Sequence, residues 1–133
     1  PLRLVGSEMC IRDRYNILFV SCVVDMFSIT SSKGDIITLN TRNTDKICNA
    51  FRNIRELMYN KNSKQGAWFQ VEMFLKSKAQ YTLKFNYDNL EQIPSFFQKP
   101  DWLLEMFREY PRSQEYTPLW LRKIVGRRKL YLT

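Results

Sequence analysis

From Trp68 onward, apolar and polar residues alternate. Phe69, Val71, Met73 and Leu75 fall on one side of an extended chain, and Gln70, Glu72, Phe74 and Lys76 on the other. After the polar link Ser77-Lys78-Ala79-Gln80, Tyr81, Leu83, Phe85 and Tyr87 alternate with Thr82, Lys84 and Asn86. A period of two on both sides of a short link predicts an antiparallel hairpin, with one face on a helix and the other open to water. Upstream the period is different. Ile47, Ala50, Phe51, Ile54, Leu57 and Met58 recur at spacings of three and four, which predicts an amphipathic helix. Asn43-Thr44-Asp45 supplies N-cap chemistry for it, and it should end near Tyr59. Arg52 and Glu56 sit on its other face at the i,i+4 spacing.

Ahead of the helix, Ile17 to Val24 is an unbroken apolar run of eight residues, halted by Asp25. It is far shorter than the roughly 20 residues that cross a bilayer, and its β-branched content predicts a buried strand. With the turn cluster Ser31-Ser32-Lys33-Gly34 and the stretch Asp35–Asn40, it predicts a first hairpin over residues 16–40. Downstream, Asp88 to Lys99 reads as a loop. Pro100-Asp101 opens a helix with Trp102, Leu103, Met106, Phe107 and Tyr110 on its apolar face, and Pro111 stops it. Thr117-Pro118 reads as an N-cap and first position for a last short helix through Leu119-Trp120-Leu121. The order ββ-α-ββ-α-α is that of an α+β domain, an antiparallel sheet of two hairpins packed against helices.

Composition narrows the chemistry. The 133 residues suit one domain, and 9 Phe, 7 Tyr and 3 Trp are enough for a real core. There is no histidine, which excludes Ser-His-Asp and Cys-His catalysis, histidine-ligated zinc and the two-histidine iron site. Cys10, Cys22 and Cys48 form no CxxC pair, so a cysteine metal site is not signalled, and the sparse count suits a reducing compartment. No glycine-rich phosphate loop is present. Glu72 and Asp88 are the carboxylates that the second hairpin could bring together, and Cys48 reads as a small buried residue of the helix. These observations point to a protein that is not an enzyme and needs no cofactor or metal.

Charge is concentrated at one end. The net charge is +8, and Arg122, Lys123, Arg127, Arg128 and Lys129 fall within the last twelve residues, which hold no acid. Such a tail either binds phosphates by releasing counterions or is a solvated end. No aromatic RNA-binding motif or zinc finger accompanies it, so a nucleic-acid signal is electrostatic only.

Residues 4–13, Leu-Val-Gly-Ser-Glu-Met-Cys-Ile-Arg-Asp, resemble the in-frame translation of a transposase adapter used in preparing sequencing libraries. The resemblance implies that residues 1–14 are a scar on a metagenomic gene fragment. Residues 15–133 are then a single N-terminally truncated domain with a basic tail over 122–133.

Trp68 opening a strand that carries Glu72, with Lys84-Phe85-Asn86-Tyr87-Asp88 closing the next, resembles the YezG-like immunity proteins, antitoxins of bacterial polymorphic toxin systems. Phe107-Arg108-Glu109-Tyr110-Pro111-Arg112, then Glu115, Thr117-Pro118 and Trp120-Leu121, is similar to the C-terminal segment of some members. Over roughly residues 45–121, the resemblance implies an α+β protein that binds and blocks a cognate toxin, frequently a nuclease, in the cytoplasm. Glu72, Asn86 and Asp88 are the expected toxin contacts, while Trp68 and Tyr87 fit an interface or a core equally. Phe69, Phe85, Phe107 and Trp120 are expected in the core. Replacing Glu72 and Asp88 with lysine should weaken toxin binding and leave the fold intact. A basic chain finds its complement in an acidic toxin surface. The alternative function is a small basic nucleic-acid-binding module that uses the tail.

Overall fold

The computed structural model describes residues 14–77 and 80–132. The adapter-like stretch 4–13, with Cys10, lies outside the described residues. Strands β1 (Tyr15–Cys22), β2 (Val24–Ser31), β3 (Ile36–Ile37), β4 (Gln70–Ser77) and β5 (Gln80–Asn86) form one antiparallel sheet in the order β3-β2-β1-β4-β5. Helix α1 (Thr41–Lys61) lies between β3 and β4, and α2 (Pro100–Glu109) and α3 (Leu119–Val125) follow β5. The class is α+β, but the order is three strands, a helix, two strands and two helices.

The first hairpin is where expectation and structure part. The apolar run Ile17–Val24 is not one strand. It turns back at Val23, and Val24–Ser31 pairs along the whole of β1, from Cys22 opposite Val24 to Tyr15 opposite Ser31. Apolar continuity concealed the turn, because β1 is the middle strand and is buried on both faces along its C-terminal half. The cluster at 31–34 is a turn as read, with the Ser31 hydroxyl accepting from the backbone N–H of Lys33 and Asp35. It leads to only two residues of edge strand, β3, in place of a strand over 35–40.

Two cores sit on opposite faces of the sheet. Alternate residues of β1, Ile17 and Phe19, join Ile29 of β2, Val71 and Leu75 of β4 and Trp68 beneath Cys48 and Phe51 of α1. Val20 and Cys22 point the other way and meet Phe69, Leu103, Met106 and Phe107 of α2 and Leu121 and Val125 of α3. The second sheet face is thus covered by α2 and α3 at one end, and only its other half, around Asn16, Phe74 and Thr82, is open to water.

Helix α1 starts earlier than expected, because Asn40 is its N-cap and accepts from the Asn43 N–H at 2.8 Å. Its buried face is Cys48, Phe51 and Arg55, while Ala50 and Leu57 turn outward. Arg52 and Glu56 do not pair with each other. Arg52 pairs with Asp25 of β2, and Glu56 accepts from the Tyr110 hydroxyl at 2.7 Å. Helix α2 begins with Pro100 and buries Leu103, Leu104, Met106 and Phe107. For α3 the N-cap is Pro118, not Thr117, whose hydroxyl donates to the Ser113 carbonyl at 2.8 Å.

Candidate functional site

Where β5 ends, the chain is folded over by its own side chains. Asn86 is buried, its amide accepting from the Asn89 N–H and donating to the Asn89 carbonyl, both at 2.8 Å. That local bracket pushes Asp88 outward. Its carboxylate is 62% exposed, yet one oxygen accepts from Arg112 Nη1 at 2.8 Å, and its backbone carbonyl accepts from the Trp120 indole at 2.7 Å. Asp88, Asn89, Leu90, Glu91 and Trp120 line an open groove of about 490 Å³. It is a surface for contact rather than an enclosed pocket for a small molecule.

Arg112 holds the groove's floor together. Its guanidinium also donates to the carbonyls of Tyr116 (3.0 Å) and Tyr87 (3.0 Å) and lies 5.8 Å from the centre of the Phe69 ring. Gly66 leaves room for it, since a Cβ there would stand 2.6 Å from Arg112 Nε. Burial disfavours the charge and lowers the guanidinium pKa, an effect that Asp88 opposes. A second buried arginine joins the two cores. Arg55 Nη1 donates to the Ser21 carbonyl at 2.8 Å, and its guanidinium lies between the rings of Trp68 (5.5 Å) and Tyr110 (5.2 Å).

The expected contact residues separate into different roles. Trp68 is fully buried against Phe19 and Phe85 and presents no surface. Asn86 is committed to its turn. Tyr87 is half-buried beside Asp88, with its phenol pKa raised by burial. Glu72 is half-buried on the sheet, opposite Leu18 and Lys84. Asp88 lies four residues beyond Lys84, roughly 13 Å along the strand direction, so the two carboxylates are not brought together. The ion pair with buried Arg112 also means that Asp88→Lys would disturb the fold, contrary to expectation. Trp120 is half-buried, covering Phe69 at 6.0 Å.

The basic segment is not a loose end. Leu130 and Tyr131 pack on the α2–α3 core, Tyr131 edge-on to Phe107 at 5.4 Å, and the Leu132 N–H donates to the Arg112 carbonyl at 3.0 Å. All five basic side chains are exposed; Arg122 and Arg128 donate to backbone carbonyls, and Lys123, Arg127 and Lys129 do not.

Sequence reasoning did not single out the two buried arginines. Arg55 had a signal, because it falls seven residues after Cys48 and four after Phe51, on the buried stripe. Arg112 had none beyond its place in the quoted segment. The two thiols among the described residues are poor nucleophiles: burial pushes Cys22 up to about 11 and raises Cys48 as well, the opposite of what an attacking thiolate needs. Among the described residues, no three His, Cys, Asp or Glu side chains gather to hold a metal ion, and no helix is long and apolar enough to cross a membrane.

Neither the curated proteins nor the solved structures contain a match to the chain. A protein-family model does match, that of the immunity protein YezG-like family, over residues 36–119. This stretch runs from β3 through α1, the β4–β5 hairpin and α2 to the first residue of α3, and includes Asp88, Gly66 and both buried arginines. Covering more than half of the 133 residues, the match shows that the chain belongs to the YezG-like immunity protein family.

Proposed function

We propose that this protein neutralises a cognate bacterial toxin, of a polymorphic toxin system, by forming a stoichiometric complex with it in the cytoplasm. It performs no chemistry of its own. The observation that carries the reading is the family match over residues 36–119. The surface fits it: an open groove with two carboxylates, Asp88 and Glu91, held on a rigid floor, suits contact with a macromolecule better than turnover of a small substrate. Glu72, Tyr87 and Asp88 are the candidate contacts. Asn86 holds the turn that carries Tyr87 and Asp88, and Trp68 belongs to the core.

The reading predicts a toxin gene beside this one, and the test is co-expression with the toxin domain that it encodes. Growth should be restored, and the purified pair should run as a one-to-one complex over a standard-sized interface. A toxin that kills regardless, and elutes alone, would overturn the reading. Within a working pair, Glu72→Lys should weaken binding. Asp88 is better probed as Asp88→Asn, which keeps an acceptor for Arg112. Unchanged affinity in both folded variants would remove them from the interface.

A further inference from the structure

Residues 119–132 carry five basic side chains and no acidic one. Two of the five bond backbone carbonyls, although their side chains also stay exposed. Arg122 donates to the carbonyls of Thr117 (2.8 Å) and Gln114 (3.0 Å), tying α3 to the turn before it. Arg128 donates to the carbonyls of Ile124 (3.2 Å) and Val125 (3.1 Å), closing the C-terminal end of α3. Lys123, Arg127 and Lys129 remain exposed, and none of them enters the ion pairs among the described residues, which are Arg52–Asp25, Arg108–Glu105 and Arg112–Asp88.

Apolar groups stand out at the start of this segment and just ahead of it, where Tyr116 follows the exposed Glu115. Leu119 is 67% exposed and Tyr116, in the turn that Arg122 grips, is 47% exposed. Leu119 and Lys123 are one helical turn apart and so share a face. The opposite face of α3 is anchored by Leu121 and Val125, both fully buried. The chain beyond it is held down by Leu130, Tyr131 and the Leu132 N–H. The exposed face is therefore preorganised, which lowers the ordering cost of binding.

We propose that Tyr116, Leu119, Lys123, Arg127 and Lys129 form a docking face for an acidic protein surface. The proposal rests on the immunity reading and assigns that acidic surface to the toxin. Charge complementarity argues for the occupant, because three unpaired cations on an acid-free segment favour encounter with an acidic patch. An exposed leucine one helical turn from a lysine, with an exposed tyrosine before it in sequence and cations after it, offers both the apolar and the charged components of a protein interface. Nucleic-acid interfaces are more polar and more densely positive than a face that includes an exposed leucine and tyrosine.

The experiment compares the full chain with Lys123→Glu/Arg127→Glu/Lys129→Glu and with Leu119→Ser. The probes are the catalytically inactivated toxin domain encoded beside the gene and a short DNA duplex, each at low and at physiological salt. The charge reversal should slow association with the toxin roughly tenfold or more and flatten its salt dependence. Leu119→Ser should speed dissociation. Thermal unfolding midpoints should match that of the parent chain, since all four side chains are exposed. If the parent chain binds toxin and the charge-reversed variant binds it equally well, this inference fails and the immunity reading survives. If the parent chain does not bind toxin, both fail. Tight duplex binding that the reversal abolishes, with toxin binding untouched, would assign the face to nucleic acid and overturn the proposal.

Discussion

Arg112 carries a full charge into the interior, and its surroundings explain how that is tolerated. Taking a guanidinium out of water costs several kcal/mol unless its donors are met. Here they meet one carboxylate and the carbonyls of Tyr87 and Tyr116. The pair is lopsided, the Arg112 side chain being 3% exposed and Asp88 62%. Arg112→Met would leave two carbonyls without their donors and should cost about 3 to 4 kcal/mol, whereas Asp88→Asn keeps an acceptor and should cost about 1 kcal/mol. Urea unfolding measures both, and equal losses would show that the carboxylate, not the arginine, organises the site. Gly66 belongs to the same cluster. Its φ of 84° disfavours a side chain, and a Cβ would stand 2.6 Å from Arg112 Nε and 3.0 Å from Arg112 Cβ. Gly34 has a similar φ of 86° with nothing within 4 Å. Gly34→Ala should therefore cost about 1 to 2 kcal/mol from the backbone alone, and Gly66→Ala clearly more. The excess should shrink when Arg112→Ala is already present, because alanine lacks the Cδ and Nε that the new Cβ would meet.

Among the elements, the β1–β2 hairpin is the least natural for its sequence. Its turn places Val23 at φ 69°, a left-handed conformation that a β-branched residue adopts only under strain. The side chain is 62% exposed, so little packing is lost with it. Val23→Gly should raise stability by about 1 kcal/mol, as relief of the strain outweighs the extra freedom of glycine in the unfolded chain. A fall in the urea midpoint would show that the turn is not strained. That valine also explains why the hairpin was not legible: nothing in Val23-Val24 signals a turn, and burial on both faces of β1 erased the alternation that marks a strand. The β4–β5 hairpin and α2 were legible because the period held along β5, α2 and β4 from Gln70 onward, and prolines bracket α2 at Pro100 and Pro111. Phe69, expected on the face of Val71 and Leu75, lies ahead of the strand and packs in the opposite core. In α1 the period was right but the stripe was rotated, since Leu57 is exposed while Arg55 is buried. Residue type placed the leucine inside and the arginine outside, and tertiary packing reversed both. The groove was half legible. Asp88 and Tyr87 could be placed just past a strand, but their union with Trp120 and Arg112 is made by tertiary contacts across more than twenty residues of chain.

At the scale of the whole molecule, the sheet is held between two separate cores, and few groups tie one to the other. Arg55 stacks between Trp68 of one and Tyr110 of the other, with Cys22 and Glu109 close enough to feel its charge. This junction should make stability fall at alkaline pH. Burial, opposed by Arg55 and reinforced by Glu109, pushes the Cys22 thiol from 9.0 up to about 11. Burial and the hydrogen bond to Glu56 push the Tyr110 phenol from 10.0 up to about 12. In each case the folded state keeps a proton that the unfolded chain has already shed, so stability declines as pH rises through the interval between the two values. The thiol contribution is intact below about pH 9 and lost by about 11, and the phenol contribution is intact below about 10 and lost by about 12. Arg55, whose charge burial disfavours, works in the opposite sense, in a window that closes at the ordinary guanidinium value. Urea midpoints recorded from neutral pH upward, with reductant present, should therefore stay level to about pH 9 and then fall. Cys22→Ala should shrink the lower limb of that fall, to which Cys48 also contributes, and Tyr110→Phe the upper one, to which Tyr59 and Tyr87 contribute. Each comes at some cost in stability at neutral pH, because the bonds to the Trp102 carbonyl and to Glu56 are lost. A profile that stays level through pH 11 in the parent chain would mean that Cys22 and Tyr110 are solvated in the folded state and that the two cores do not close over their junction.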